Sequence, residues 1–395
     1  MIKAEIVADS LSPQGDRLIS VLCTFPRIIL AEVNTHRMLS KNTSSSRAIP
    51  FHKMVKAVQE NPFIPIAFQK HHTGMQGNEY LDVNKKYTFE EISNILHSNL
   101  VSSFKNKDGK WDEDYLQIDE TLNKYVLPIL TSSKEGLTIV EWWLKTRDLI
   151  VASAVLLYSF GVTKQLCNRL LEPFMWTTML ITGSKEGWDN FFNLRCPQYE
   201  IDIHQIKTGE GIFFEKTKVF KSKKDIEKEG IDMIKKYSDF EWLSKFNKGQ
   251  AEIHMMALAE SIYDAYNESE PRLLFSGQWH IPFEDKICEL NITLTNEDLV
   301  KISTAMAAHT SYTVVGGEAV KSYEKWIELH DKLIAYDPPH SSPMEHCARA
   351  MSEIEYTSSK STGYTRKGKD QYGWCNNFKG FIPYRYMIDN KTNIE

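Results

Sequence analysis

The chain opens on a period-two pattern. Ile2, Ala4, Ile6 and Ala8 alternate with Lys3, Glu5 and Val7, which predicts a strand with one apolar face. Ser12-Pro13-Gln14-Gly15-Asp16 is turn chemistry, and Leu18 to Thr24 predicts a second strand, so the start of the chain reads as a hairpin. The period then changes to three and four. Ile29, Val33 and His36 share one face of a helix expected from Pro26 to Met38, followed by a polar loop from Ser40 to Arg47. Helical patterning returns at Glu141–Tyr158, at Gln165–Leu171 (stopped by Pro173), at Trp188–Leu194, Ala251–Tyr266, Glu297–His309 and Val320–Tyr336. Between these, Thr88-Phe89-Glu90-Glu91 predicts a capped helix over Ile92–Val101, and Lys105–Gly109 a turn. The lysine-rich stretch 197–248 predicts a hairpin from Ile212-Phe213-Phe214 and Val219-Phe220, with a helix over Ile226–Tyr237. Ser358 to Gln371 is polar and unpatterned, which predicts a mobile loop, and Phe378 to Met387 predicts a closing strand.

Composition narrows the class. Of 395 residues, 42% are hydrophobic and 25% charged, which excludes a largely disordered chain. No uncharged apolar run approaches the length of a spanning helix, and the acidic residues near the N-terminus argue against a signal peptide. Six scattered cysteines without Cys-x-x-Cys spacing fit a reducing cytoplasm better than a disulfide framework or a structural zinc site. The net charge of −5 argues against a nucleic-acid binder, so a bound phosphate would need a few placed arginines.

Candidate chemistry sits in three places. His36 and Arg37, followed by Asn42, Ser44-Ser45-Ser46 and Arg47, gather hydroxyls, backbone N–H groups and guanidinium forks suited to an oxyanion. The same residues also suit a basic helix end with a solvated loop. His340-Ser341-Ser342-Pro343-Met344-Glu345-His346 has no metal-ligand spacing and reads as a polar or ligand-facing turn. Arg169 and Arg195 flank Phe174, Trp176, Trp188, Phe191 and Phe192, either a wall for a planar ring or ordinary core. Cys167 and Cys196 lack an obvious neighbouring base and read as buried structural thiols. No Walker A loop and no strand–Gly-x-Gly-x-x-Gly–helix unit occurs.

Together these segments resemble the flavin-dependent thymidylate synthases. That family carries Arg-His-Arg, seven residues, Ser, one residue and Arg; here the stretch is Thr35-His36-Arg37, seven residues, Ser45, one residue and Arg47. Arg169-Leu170-Leu171-Glu172-Pro173 with Asn190-Phe191-Phe192-Asn193-Leu194-Arg195 is similar to a second family block. The His340–His346 turn is similar to a third, and Ala307-Ala308-His309-Thr310-Ser311-Tyr312 to a fourth. These blocks cover about half of the chain, and the last two follow the others where familiar members place them first. A circular permutation of the phage-type kind accounts for that order, provided the segment around Glu353-Ile354-Glu355 and the C-terminal strand lie beside the N-terminal hairpin.

The resemblance implies an α+β fold: a mixed sheet with packed helices in permuted order, carrying helical and hairpin insertions. Its segments are 1–65, 66–135 (helical insertion), 136–196, 197–248 (lysine-rich insertion), 249–290 and 291–395, all in one catalytic domain. It implies a cytoplasmic homotetramer that holds FAD, uses NADPH and methylenetetrahydrofolate as co-substrates, and methylates dUMP at C5 to give dTMP without an enzyme thiol. No membrane or nucleic-acid partner is expected. Carried over residue by residue, Ser45, Arg47, Arg169, Arg195 and Glu32 bind substrate. His36, Arg37, Met38, Asn42, Asn190, Leu194, Ser311, Ser342, Glu345 and His340 bind the cofactor, and Arg195, His36 and Arg37 carry the catalytic role.

Four positions depart from the family pattern. Thr35 replaces the first motif arginine, Thr43 the usual glutamate, and Ser184 and Glu186 an Asn-x-Arg pair. The histidine that follows the Leu-Arg block has no match. These departures leave open a hydroxymethylase of dUMP or dCMP, or a non-catalytic nucleotide-binding relative.

Overall fold

The computed structural model describes residues 2–70, 77, 79–88, 90, 91, 94, 124, 136–206, 213–230, 236–289, 293–312, 322–336, 339–359 and 371–391. The chain forms two units, Met1–Phe63 with Thr163–Glu395, and Ile64–Val162. In chain order the elements used below are β1 (Lys3–Leu11), β2 (Arg17–Pro26), α1 (Leu30–Asn34), β3 (Ser40–Thr43), α2 (Phe51–Glu60), α3 (Ile139–Ser159), α4 (Lys164–Leu170), β4 (Trp176–Ser184) and α5 (Lys185–Arg195). They continue with β5 (Tyr199–Ile206), β6 (Phe213–Phe220), α6 (Ile253–Glu268), β7 (Arg272–Leu273), β8 (Trp279–His280), α7 (Asn296–His309), α8 (Tyr323–Ala335), β9 (Ala348–Ala350), β10 (Phe381–Pro383) and α9 (Tyr384–Asp389).

The expected hairpin forms, turning through Gly15 at φ +87°, a left-handed conformation that glycine adopts without a Cβ penalty. It belongs to a mixed five-stranded sheet of order β3-β4-β2-β1-β7, antiparallel except for the β1–β7 pair. The fold is α+β, with helices and several small sheets. The N-terminal alternation breaks within β1, because a bulge between Ile6 and Ala8 inserts Val7. Ile2, Ala4 and Ile6 pack on one core, whereas Val7 packs on the opposite side beside Leu22, Leu180 and Phe283. After the bulge Ala8 pairs with Ser20 and Ser10 with Leu18, so the single apolar face expected through Ala8 ends at Ile6.

Period-two burial fixes both faces of the sheet. Ile19, Val21, Cys23, Phe25, Met179 and Ile181 meet Trp188, Phe191 and Phe192 of α5 and Met255, Leu258 and Ile262 of α6. On the other face Leu180 meets Ala307 and Phe283, and Leu18 meets Leu274, Ala348, Ala350, Phe378 and Phe381. A further core joins Val300 and Ile302 of α7, Trp326 and Leu333 of α8, and Tyr384 and Met387 of α9. The C-terminal segment lies against the N-terminal turn. Gln14 donates to the Met351 carbonyl at 3.4 Å, and Lys379 pairs with Asp16 at 3.4 Å.

Several local expectations differ from the structure. The Pro26–Met38 helix is only α1, preceded by a 3-10 turn over Arg27–Ile29, and the Ser40–Thr43 half of the expected loop is an edge strand paired with β4. β4 is a nearly continuous buried run, which periodicity alone cannot separate from a helix. Phe213-Phe214 and Val219-Phe220 do not face each other, and Ile212 lies outside the described residues. Phe213 to Phe220 is one strand, β6, and its partner is β5. The closing strand is only Phe378–Lys379 and β10; from Tyr384 the chain turns helical as α9, with Pro383 at its N-cap. The helix Ile92–Val101, the turn 105–109 and the greater part of the loop 358–371 lie outside the described residues, as does part of the helix expected over 226–237.

In the second unit Leu137-Thr138 pairs with Lys86-Tyr87. The helix α3, grouped in sequence with 136–196, lies in this unit and starts from a capping box between Thr138 and Glu141. Among the described residues no helix is long and apolar enough to cross a membrane.

Candidate functional site

The site is built around the free edge of the sheet. Antiparallel pairing of Ser40 with Thr182 and Asn42 with Leu180 makes β3 the edge strand and turns Asn42 inward. There the Asn42 amide N–H donates to the Ala307 carbonyl at the end of α7, and its Oδ1 accepts from the Ser342 hydroxyl at 3.3 Å. Three residues on, the Ser45 N–H donates to the Ser311 carbonyl at 2.9 Å. Segments about 300 positions apart in the chain thus meet through hydrogen bonds within one unit.

His36 follows α1 and is 6% exposed, with its ring edge-on to Phe191. Arg195, the last residue of α5, donates Nε–H to His36 Nε2 at 2.9 Å and approaches Thr35 Oγ1 at 3.4 Å. Because Nε2 accepts, the His36 proton lies on Nδ1. Burial, with Arg195 and Lys41 nearby, pushes the imidazole down to about 4, so it is neutral near pH 7. Thr35, the departure at the first motif position, accepts the Arg195 guanidinium in place of presenting a second one. Glu32 lies in the same group. Burial and Glu252 raise its carboxyl pKa against the pull of Arg195, and Oε2 is buried with no hydrogen-bond partner among the described residues.

Lys41 was not among the residues singled out by sequence. It projects from β3, and its ammonium donates to the His36 carbonyl and to the Val33 carbonyl at 3.4 Å, capping the end of α1. Burial pushes it down to about 8, opposed by Glu345. Glu345 in turn pairs with Arg385 of α9, another residue the sequence reading missed. The signal available was weak: a lone lysine between two motif residues, and an arginine in a segment read as strand.

The arginines expected to grip an anion are at the surface. Arg37 is exposed, and no described residue pairs with its guanidinium; its carbonyl accepts from Asn377 at 2.9 Å. Arg47 is exposed and reaches Gln165 at 3.3 Å. Arg169 is also exposed and lies one helical turn beyond Gln165 on α4, which puts both arginines on the same side of that helix. The loop between Ser44 and Ile49 is held from behind. Arg27 donates to the Ser44 carbonyl at 2.7 Å, Ser46 to Glu172 at 2.5 Å, and Asn168 to the Ser46 and Ile49 carbonyls.

Other candidates fall elsewhere. Asn190 and Leu194 sit on the exposed side of α5, His340 lies at the surface edge-on to Tyr336, and none of the three shares a hydrogen bond with the β3 group. Met38 lines the close approach to Gly187, where a Cβ would lie 3.2 Å from the Met38 carbonyl. The aromatic wall is core. Trp188, Phe191 and Phe192 are at most 3% exposed because α5 must cover the sheet, Phe174 is buried in the turn before β4, and Trp176 is half-buried. Ser184 and Glu186 both engage Lys379, which places that departure in the packing of the C-terminal strands. Cys167 and Cys196 are buried, and burial raises the Cys196 thiol far out of the reactive range. A separate cavity of about 290 Å³ lies between α2 and Phe174–Trp176; of the candidate residues Ser44, Phe174 and Trp176 line it, with Lys53, Met54 and Lys56, while His36, Ser45, Arg47, Arg169 and Arg195 do not.

No family model matches the sequence, and no curated protein matches it. Among solved structures, the chain is similar to a UMP/dUMP methylase PolB from Streptomyces cacaoi bound with 5-Br dUMP, at 10% identity and a TM-score of 0.24, over 49% of this chain and 59% of that chain. The same methylase bound with 5-Br UMP is matched at 13% identity and a TM-score of 0.28, over 50% of this chain and 77% of that chain. The chain spans about 59% of the length of the first of these structures. Neither similarity carries a residue role across.

Proposed function

We propose that this protein transfers a one-carbon unit from methylenetetrahydrofolate to C5 of dUMP, giving dTMP, with FAD as cofactor and NADPH as reductant. The observation that supports the reading is the meeting of Asn42, Ser45, Ala307, Ser311 and Ser342 at one sheet edge, with His36 and Arg195 alongside.

The exposed forks of Arg47 and Arg169, beside the Ser45 loop, have the chemistry to hold a nucleotide phosphate. Arg195 is anchored by a neutral His36, so its remaining N–H groups are pre-aimed. Directed at the pyrimidine carbonyl, they would favour negative charge developing on the ring as C5 becomes nucleophilic. The donor set fits a flavin in part. Arg37 and Asn190 carry unburied polar groups that could serve it, with Ser311 and Ser342 at the sheet edge, whereas the Asn42 amide is committed to Ala307 and Ser342 and the Glu345 carboxylate to Arg385. FAD, when bound, would supply the hydride acquired from NADPH. The assembly expected with this reading is a homotetramer.

Purified protein should show flavin absorption in the visible, and incubation with dUMP, methylenetetrahydrofolate and NADPH should yield dTMP. Hydroxymethyl-dUMP, or conversion of dCMP alone, would replace the reaction while keeping the site. Absence of flavin together with absence of nucleotide binding would refute it.

A further inference from the structure

His346 closes the motif turn and has no role in the reading above. It is wholly buried, as is His280 of β8, and a continuous run of hydrogen bonds joins them. Ser10 Oγ lies 2.9 Å from His280 Nδ1, His280 Nε2 lies 2.8 Å from Ser20 Oγ, and Ser20 Oγ lies 2.6 Å from Thr182 Oγ1. Thr182 Oγ1 then lies 2.8 Å from His346 Nδ1. All five side chains are at most 3% exposed. Ser20 and Thr182 are register partners on β2 and β4, and the Val7 bulge is what turns Ser10 of β1 to their face.

No carboxylate or cation belongs to this chain, and burial pushes both imidazoles down to about 3, so both are neutral. A neutral imidazole donates through one nitrogen and accepts through the other, and a hydroxyl has one proton to give. Direction is passed along wherever each hydroxyl gives its proton within the run. If Ser10 donates to His280, then His280 donates to Ser20, Ser20 to Thr182, and Thr182 to His346 Nδ1, leaving the proton on His346 Nε2. In the reverse order His346 donates from Nδ1, and Nε2 is a bare acceptor. That Nε2 atom is buried and has no partner among the described residues. Such an exception at the end of a bonded chain calls for a functional account.

We propose that the Ser10–His280–Ser20–Thr182–His346 chain is a positioning element that fixes which nitrogen of His346 carries the proton and holds the 342–346 turn where Ser342 meets Asn42. His346 and His280 act through the turn and are positioning residues. The consequence for dUMP affinity rests on the proposed function, in which that turn borders the cofactor beside the nucleotide.

The test uses Thr182→Val, which removes the hydroxyl at nearly constant volume, Thr182→Ser, which restores it, and Ser10→Ala at the far end. Imidazole 15N shifts report the His346 tautomer, and a dUMP titration reports the site. One tautomer should dominate in the unaltered protein, and both Thr182→Val and Ser10→Ala should shift it. Affinity for dUMP should fall about tenfold in Thr182→Val, as a buried partner is left unpaired, and recover in Thr182→Ser. His346 shifts unchanged by Ser10→Ala in folded protein would overturn the proposal. If the unaltered protein does not bind dUMP, the functional reading fails while the tautomer measurement still decides the chain.

Discussion

Arg195 Nε donates to His36 Nε2 across 2.9 Å, joining the end of α5 to the loop after α1 and fixing both the guanidinium and the tautomer of the imidazole. Arg195→Ala should lower turnover of dUMP by about a hundredfold or more, the usual effect of losing one donor to developing charge. Its circular dichroism should remain that of the unaltered protein, because Arg195 is only partly buried. Arg195→Lys should be nearly as inactive, since an ammonium lacks the fork that reaches His36 and substrate together. Full activity in either variant would contradict the assignment.

Arg47→Ala and Arg169→Ala should each weaken dUMP binding by about tenfold to a hundredfold, the range for a charge-assisted hydrogen bond. Deoxyuridine, which lacks the phosphate, should be insensitive to both changes. Thermal midpoints should move little, as both side chains are exposed.

Acid should destabilise the fold before ordinary carboxylates titrate. His36 is held down to about 4, and His280 and His346 to about 3, below the unfolded histidine value. The unfolded chain therefore binds more protons as pH falls through about 6.5, and the stability present above that value is lost toward the folded values. Near pH 5 each histidine should cost about 2 kcal/mol. Urea midpoints at pH 7 and pH 5 measure this, and equal midpoints would show that these rings are not kept neutral by the fold.

Lys41 makes the opposite end of the pH range informative. Its folded value near 8 lies below the unfolded lysine value, so between about pH 8 and 10.5 the unfolded chain again holds the extra proton, and stability should rise with pH from this group. Lys41→Met should remove that rise. The comparison of denaturant midpoints for the two proteins at pH 7.5 and 10 isolates it from other titrating groups.

The hairpin and most helices were legible because their periods are regular and their ends carry caps, as at Ser12–Asp16 and Thr295–Asp298. The strand β4 was not, since burial on both faces erased its alternation. The motif residues His36, Asn42, Ser45, Ser311 and Ser342 could be picked out, yet their partners could not. Lys41, Arg385 and the hydroxyls of Ser20 and Thr182 acquire meaning only from register and from contacts between distant segments. The aromatic segment left two readings open, and Trp188, Phe191 and Phe192 take the core one because α5 needs large side chains to cover the sheet.

The spare residue at Val7 gives the first strand two phases, one for each half. Straightening the bulge with its residue kept would bring the halves into step, swinging Ser10 away from His280 and moving the ion-paired Asp9 to the opposite face. Homologous chains should therefore either bulge out the residue at position 7 or lack it altogether, since both leave Ser10 opposite Leu18 and the imidazole at position 280 beside its serine.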